Sequence, residues 1–308
     1  MEDINFKSGY VSIIGKPNVG KSTLMNKLIG ERLSIISPKP QTTRMSIKGI
    51  YNNPQTQIIF LDTPGFLEPR YELQDKMLSY ITDSLKNSDL LLFVCDASDF
   101  PTDYDDKVLA LVKKANKQCL CIVNKTDIIN KSEIINIQQK ILANELNIFS
   151  AEDIFFCDSL TGKVFTSNDF YDLKLVLNRI IHFLPYSPPL FDREDLSDMP
   201  LRFFAQEIIR EKIFLNFDKE IPYSTTVVVE KWSEEEFRDV IQATIWVERD
   251  SQKPIILGKQ GKMIGKIRKE SEIDIQNLTG KQAVLNLWIK VKHDWRKKNG
   301  ALREFGYR

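Results

Sequence analysis

Gly15, Lys16, Pro17, Asn18, Val19, Gly20, Lys21 and Ser22 fit the pattern G-x-x-x-x-G-K-[ST], with Thr23 directly after it. Such a run suits phosphate oxyanions. Its glycines let the backbone curl so that successive N–H groups face inward. Lys21 adds a compact positive charge for the terminal phosphates, and the Ser22 hydroxyl is a hard oxygen donor for Mg2+. A second group, Asp62, Thr63, Pro64 and Gly65, can hold Mg2+ through water at Asp62 and bring the Gly65 N–H up to a γ-phosphate. A third, Asn124, Lys125 and Asp127, offers a carboxylate that accepts from the N1–H and N2 amino group of guanine. Adenine presents neither donor, so this pattern selects guanine. Lys125 lays its aliphatic stem on the base, and Asn124 bonds the purine edge or ties the loops together.

Each group must sit at the end of an element that aims it. Tyr10–Ile14, Gln57–Leu61, Asp89–Cys95, Gln118–Val123 and Asp153–Cys157 read as strands. Helix-like stretches lie between and after them at Lys21–Leu28, Lys76–Asn87, Asp105–Asn116, Ser132–Leu146 and Phe170–His182. This alternation predicts an α/β fold, a mostly parallel, doubly wound sheet. The three groups then fall at the carboxyl ends of strands, where such sheets bind ligands.

The chain has 308 residues, with 43 Lys and Arg against 42 Asp and Glu. The length suggests two domains. A hydrophobic fraction of 42% with 28% charged residues excludes disordered, collagen-like and membrane-spanning classes. The N-terminus carries no apolar leader, so the chain is expected in the cytoplasm. Cys95, Cys119, Cys121 and Cys157 stand in apolar runs without metal-ligand spacing and read as reduced core thiols.

The stretch 185–200 holds four prolines and four acidic residues and reads as a linker between a nucleotide domain at 1–184 and a second domain at 201–308. That boundary splits the near-neutral total: 201–308 carries 21 basic and 16 acidic residues, the remainder 22 and 26. The second part reads as α+β, with a helix from Leu201 to Phe214 and strands at Thr225–Val229, Val240–Val247 and Ala283–Val291. Lys253, Lys259, Lys262, Lys266, Arg268 and Lys269 lie within an acid-free run, a footprint for nucleic-acid phosphates. Gly258, Lys259, Gln260 and Gly261 form a G-x-x-G turn inside it, with Lys262 and Lys266 beyond. Two glycines there allow close approach of a single strand. Trp288, Trp295 and Tyr307 are candidate stacking platforms, with core packing the preferred reading at Trp288. His182 and His293 read as structural or solvated.

The wording of the first loop, together with Gln41, Thr42, Thr43 and Arg44, resembles the Era family of ribosome-assembly GTPases. The Ile255–Ile267 loop and the terminus from Leu287 to Tyr307 are similar to that family's KH domain, so the resemblance spans about residues 7–307. It implies an α/β P-loop GTPase domain followed by an α+β type II KH domain. It also implies a switch that hydrolyses GTP to GDP and phosphate, binds 16S rRNA near its 3′ end and acts in assembly of the small (30S) subunit. Catalytic roles pass to Lys21, Thr43 and Gly65, and metal roles to Ser22, Asp62 and Thr43, with Thr42 the alternative to Thr43. Residues 66–75 become the second switch. Phe66 stands where many GTPases place a water-positioning glutamine, which implies slow intrinsic hydrolysis. Asn18 either faces a monovalent cation, K+, or braces its loop. Ser159 belongs to the guanine-shielding loop, where Asp158 departs from the family's serine. A monomer in the cytoplasm with peripheral contact to the cell membrane completes the implied picture. A tRNA-modifying or other RNA-binding GTPase with a different RNA partner is the alternative.

Overall fold

The apolar runs become the centre of an eight-stranded sheet because they are buried on both faces: every residue of β3 (Thr56–Asp62), β4 (Leu90–Asp96) and β5 (Cys119–Asn124) is buried. The computed structural model describes residues 5–144, 147–165 and 170–307. It resolves into two units, one of Met1–Ser34, Thr43–Glu68 and Met77–Asp198, the other of Ile35–Thr42, Pro69–Lys76 and Met199–Arg308.

In the first unit β1 (Lys7–Ile14) leads into α1 (Lys21–Ile29), and β2 (Ile47–Asn53) forms a hairpin with β3. After α2 (Glu72–Asn87) come β4, α3 (Asp103–Ala115), β5, α4 (Lys131–Leu142), β6 (Ile154–Asp158), β7 (Lys163–Phe165), β8 (Phe170–Asp172) and α5 (Lys174–Phe183). The strand order is β2-β3-β1-β4-β5-β6-β7-β8. β3, β1, β4, β5 and β6 run parallel, while β2, β7 and β8 attach antiparallel. Ile14, Phe93, Val108, Val123 and Phe156 belong to one continuous core between sheet and helices. The sequence reading missed β2, a short, half-polar edge strand. It also drew a helix through Phe170–Asp172, which is strand. The helix expected over Ser132–Leu146 closes at Leu142, and Leu146 lies outside the described residues.

The proline-rich stretch is bound to this unit as far as Asp198. Ser187 N donates to Phe6 O at 3.1 Å, Leu190 N to Gln57 Oε1 at 2.7 Å, and Ile50 N to Leu196 O at 2.9 Å. The last of these covers the edge of β2, which would otherwise be a free template for pairing.

In the second unit α6 (Leu201–Asn216) and α7 (Ile221–Ser224) precede β9 (Thr226–Glu234) and β10 (Arg238–Val247). Then follow α8 (Gln252–Leu257), α9 (Lys262–Thr279), β11 (Gln282–Val291) and α10 (Asn299–Glu304). The sheet order is β11-β10-β9, with β10 parallel to β11 and antiparallel to β9. Ile209, Ile213, Ile241, Ile245, Ile267 and Leu285 share its core. Trp295 is fully buried, donates to Ser224 O at 2.9 Å and stacks on Tyr307. Both are core residues and not stacking platforms. Trp288 reverses its expectation in the other direction: it is 46% exposed, because on β11 it shares the outward parity of Asn286 and Lys290.

All four cysteines are free and buried, and burial pushes the Cys119 and Cys157 thiols up. Among the described residues no helix is long and apolar enough to cross a membrane.

Candidate functional site

The loop from Gly15 to Ser22 joins β1 to α1 and wraps the N-terminus of α1, whose N-cap is Gly20. Gly20 has φ 94, and a Cβ there would lie 2.1 Å from the Asn124 amide nitrogen. Only glycine fits. Asn124 explains the crowding: its amide donates to Val19 O at 2.7 Å, and its Oδ1 accepts from Ser159 N at 3.0 Å and Ser159 Oγ at 2.7 Å. One asparagine thereby ties the phosphate loop, the end of β5 and the loop after β6. The sequence left Asn124 between base contact and loop tie, and the geometry supplies the tie.

Lys21 is buried, and its ammonium donates to Gly15 O at 3.2 Å and Lys16 O at 2.8 Å. Burial holds its pKa down at about 8, with the Asp62 charge opposing that shift. Asp62 ends β3 fully buried, and burial pushes its carboxyl up against the hydrogen bond from Ser22. Ser22 Oγ lies 2.6 Å from Asp62 Oδ2 and 3.0 Å from Thr43 Oγ1, and Thr43 Oγ1 lies 3.5 Å from Asp62 Oδ2. Three oxygen donors thus converge, and Asp62 Oδ1 is buried with no protein partner. Thr42 does not join them, since its hydroxyl donates to Lys39 O at 2.7 Å. Of the two threonines, Thr43 is the one whose hydroxyl lies beside Ser22 and Asp62.

Thr63 Oγ1 anchors the second group by donating to Ile13 O at 2.7 Å. Gly65 presses on the phosphate loop so closely that a Cβ would sit 2.5 Å from Pro17 Cα, and Phe66 N donates to Gly15 O at 3.0 Å. The Phe66 ring packs on the core beside Ile81 and Leu85, so it holds no water. Asn18 is exposed with φ 64, and Thr23 is half-buried on the first turn of α1.

Lys125 has φ 61, and its ammonium pairs with Asp96 at the end of β4. That pairing, with the Ser98 hydroxyl and backbone, holds the Asp96 carboxyl low against burial, the largest single influence. Asp127 is exposed on the following turn. Asp158 accepts from Leu160 N at 2.9 Å and from the Thr161 hydroxyl, so it closes the turn after β6 as a short polar brace. Sequence reasoning missed Asp96, although an aspartate ending an otherwise apolar strand was the available signal. Lys16, expected with the rest of its loop at the nucleotide, turns its side chain elsewhere: the ammonium lies 2.7 Å from Asp99 Oδ1 and 3.2 Å from Asp105 Oδ2.

In the second unit Gly258 caps α8 and Gly261 caps α9. Lys259, Gln260, Lys262 and Lys266 are exposed around that turn, and Ile255 and Leu257 are about half exposed at 50% and 46%. A basic rim beside apolar surface is the arrangement that grips a single strand by phosphate and base face. Lys266 is shared with Glu270 at 3.7 Å, an exposed pair that polymer phosphate can displace.

Known proteins carry the same two halves. Residues 10–125 match the family model of the 50S ribosome-binding GTPases, and residues 220–296 that of the KH domain. GTPase Era of Ruminiclostridium cellulolyticum is 37% identical over 99% of both chains, and that of Caldicellulosiruptor saccharolyticus 40% identical over 98% of both. Among solved structures, Era in complex with MgGDPNP and nucleotides 1506-1542 of 16S ribosomal RNA superposes with TM-score 0.92 at 36% identity, covering 98% of this chain and 99% of that one. A variant of Aquifex aeolicus Era bound to GDP.AlF4- gives TM-score 0.92 at 35% identity and the same coverage. A P-loop GTPase fold, a KH fold and near-complete coverage at these identities leave one assignment: the chain belongs to the GTPase Era family and is a GTP-hydrolysing enzyme.

Proposed function

We propose that the chain is a GTP-driven switch in small-subunit assembly whose KH unit grips single-stranded RNA near the 3′ end of 16S rRNA. The observation that carries this reading is one chain holding both the Lys21, Ser22, Asp62 and Thr43 cluster and the basic Gly258–Lys262 turn. The relative whose structure contains MgGDPNP and 16S nucleotides supports the pairing of ligands.

Gly15 to Thr23 cradle the phosphates, Asp62 to Gly65 face the γ-phosphate, and Asn124, Lys125, Asp127 and Ser159 frame guanine. Lys21 carries positive charge to the β- and γ-phosphates, and the Gly65 N–H bonds the γ-phosphate. Ser22 and Thr43, with Asp62 through water, fit Mg2+: hard oxygens converge there and Asp62 Oδ1 lacks a protein partner. Bound there, Mg2+ supplies electrostatic stabilisation of the transferring phosphoryl group. The γ-phosphoryl passes to water without a covalent intermediate. With Phe66 packed in the core, no side chain at that position orients the water, and intrinsic hydrolysis is slow. Gly258, Lys259, Gln260, Gly261, Lys262 and Lys266 hold RNA. A second cation, K+, beside Asn18, and a cytoplasmic monomer in peripheral contact with the membrane complete the proposal on the strength of the resemblance alone.

Crosslinking the full chain, loaded with a non-hydrolysable GTP analogue, to total RNA tests the partner. Enrichment of the 16S 3′ end is expected; enrichment of tRNA or mRNA instead overturns the partner and keeps the GTPase.

A further inference from the structure

Lys16 lies inside the phosphate loop, yet its charge is already spent. Its ammonium is 2.7 Å from Asp99 Oδ1, 3.2 Å from Asp105 Oδ2 and 3.4 Å from Thr102 Oγ1, with its side chain 10% exposed and that of Asp105 fully buried. Thr102 and Asp105 are the reciprocal capping box of α3. The ion pair therefore joins the second residue of the phosphate loop to the start of a helix more than eighty residues away in sequence. On the other side, the Lys16 carbonyl receives the Lys21 ammonium at 2.8 Å.

We propose that Lys16 is a positioning residue: by pinning the first turn of the phosphate loop to the capping box of α3 through Asp105, it sets the affinity for the diphosphate shared by GDP and GTP. The physical need is visible in the backbone. Asn18 at φ 64 and Gly20 at φ 94 hold the loop open in conformations a free chain leaves readily. Val19 O is held by Asn124 and Gly15 O by the Phe66 N–H. Lys16 supplies a side-chain tether at the entry of the loop. Removing Lys16 takes the cation from the fully buried Asp105 carboxylate, and neutralising Asp105 leaves the ammonium to the half-exposed Asp99, so either change loosens the tether. A lysine reaching for the γ-phosphate predicts the opposite pattern: GTP binding suffers more than GDP binding, and neutralising Asp105 leaves affinity intact or raises it.

The inference rests on reading Gly15–Ser22 as the nucleotide cradle, so Lys21→Ala is the reference. In the full chain, GDP and GTP affinities are measured by equilibrium fluorescence for Lys16→Met, Lys16→Arg, Asp105→Asn and Lys16→Met with Asp105→Asn. Thermal melting of each variant confirms folding. The expected result is a loss of about tenfold for both nucleotides by the same factor in Lys16→Met and in Asp105→Asn, a double variant no worse than the singles, and recovery to within about threefold by Lys16→Arg. A GTP-selective loss, unchanged affinity in Asp105→Asn, or no recovery by arginine overturns the proposal. Retained nucleotide affinity in Lys21→Ala overturns the reading of the cradle itself, which keeps the two failures apart.

Discussion

Two glycine loops, each capping a helix, are the proposed phosphate sites of this chain, and they are built differently. Around Gly15–Ser22 the backbone is wrapped by its own protein: Lys16, Val19 and Lys21 are buried, and a Cβ at Gly20 would strike Asn124. Around Gly258–Gly261 the enclosure is one-sided: a Cβ at Gly258 would lie 2.6 Å from Met263 Cβ, but at Gly261, with φ 74, nothing lies within 4 Å of an added Cβ, and Lys259 and Lys262 are exposed. The contrast suits the two proposed ligands. A nucleotide is small, so a site for it is built from fixed partners that hold the loop in place. A polymer enters and leaves along its length, so its loop offers exposed lysines and close backbone approach, and nothing encloses it.

Substitutions at the two loops should therefore have different costs. The largest effect is expected of Lys21→Ala, which should lower GTP affinity by about a hundredfold or more through loss of a buried charge aimed at phosphate. Equilibrium binding of a fluorescent GTP analogue measures it. Gly20→Ala comes next. It meets both positive φ and the Asn124 amide, so it should cost about 1–3 kcal/mol of stability in thermal melts and abolish tight nucleotide binding. Gly261→Ala, with the same sign of φ but open space, should cost about 1 kcal/mol. Equal costs at the two glycines would remove the contrast between an enclosed and an open loop.

Exposed lysines should act additively and through salt. Lys259→Ala with Lys262→Ala should weaken single-stranded RNA binding about tenfold and reduce the slope of log affinity against log salt by about 1.4. Nucleotide binding by that variant should match the unaltered chain, as a filter-binding and fluorescence pair would record.

The smallest effect is a pH dependence confined to the enclosed loop. Lys21 titrates near 8 in the nucleotide-free protein. Phosphate oxyanions favour its ammonium, so the complex holds more protons above that pH and affinity must fall as pH rises from 8 to 9, by at most tenfold. It should be flat from 6.5 to 7.5. Lys21→Arg, charged throughout, should show no such fall.

The chemistry-bearing residues were legible because they stand at ends of strongly apolar strands, where residue type and position agree. Asp62 after Leu61 and Asn124 after Val123 are of this kind. What escaped were partners set by tertiary approach. Nothing in the spacing of Lys16 and Asp105 announces an ion pair, and Trp288 shares its residue type with Trp295 while facing the opposite way. β2 was lost because an edge strand covered on one side lacks a continuous apolar run. The resemblance carried the identity of the second ligand, since composition identifies a basic surface but no particular RNA.

The decisive measurement is phosphate release by the full chain, followed with GTP and then with ATP. Slow release from GTP is expected, with none above background from ATP and none from GTP in Lys21→Ala. Release from ATP at a comparable rate, or undiminished release by Lys21→Ala, would contradict the proposed site.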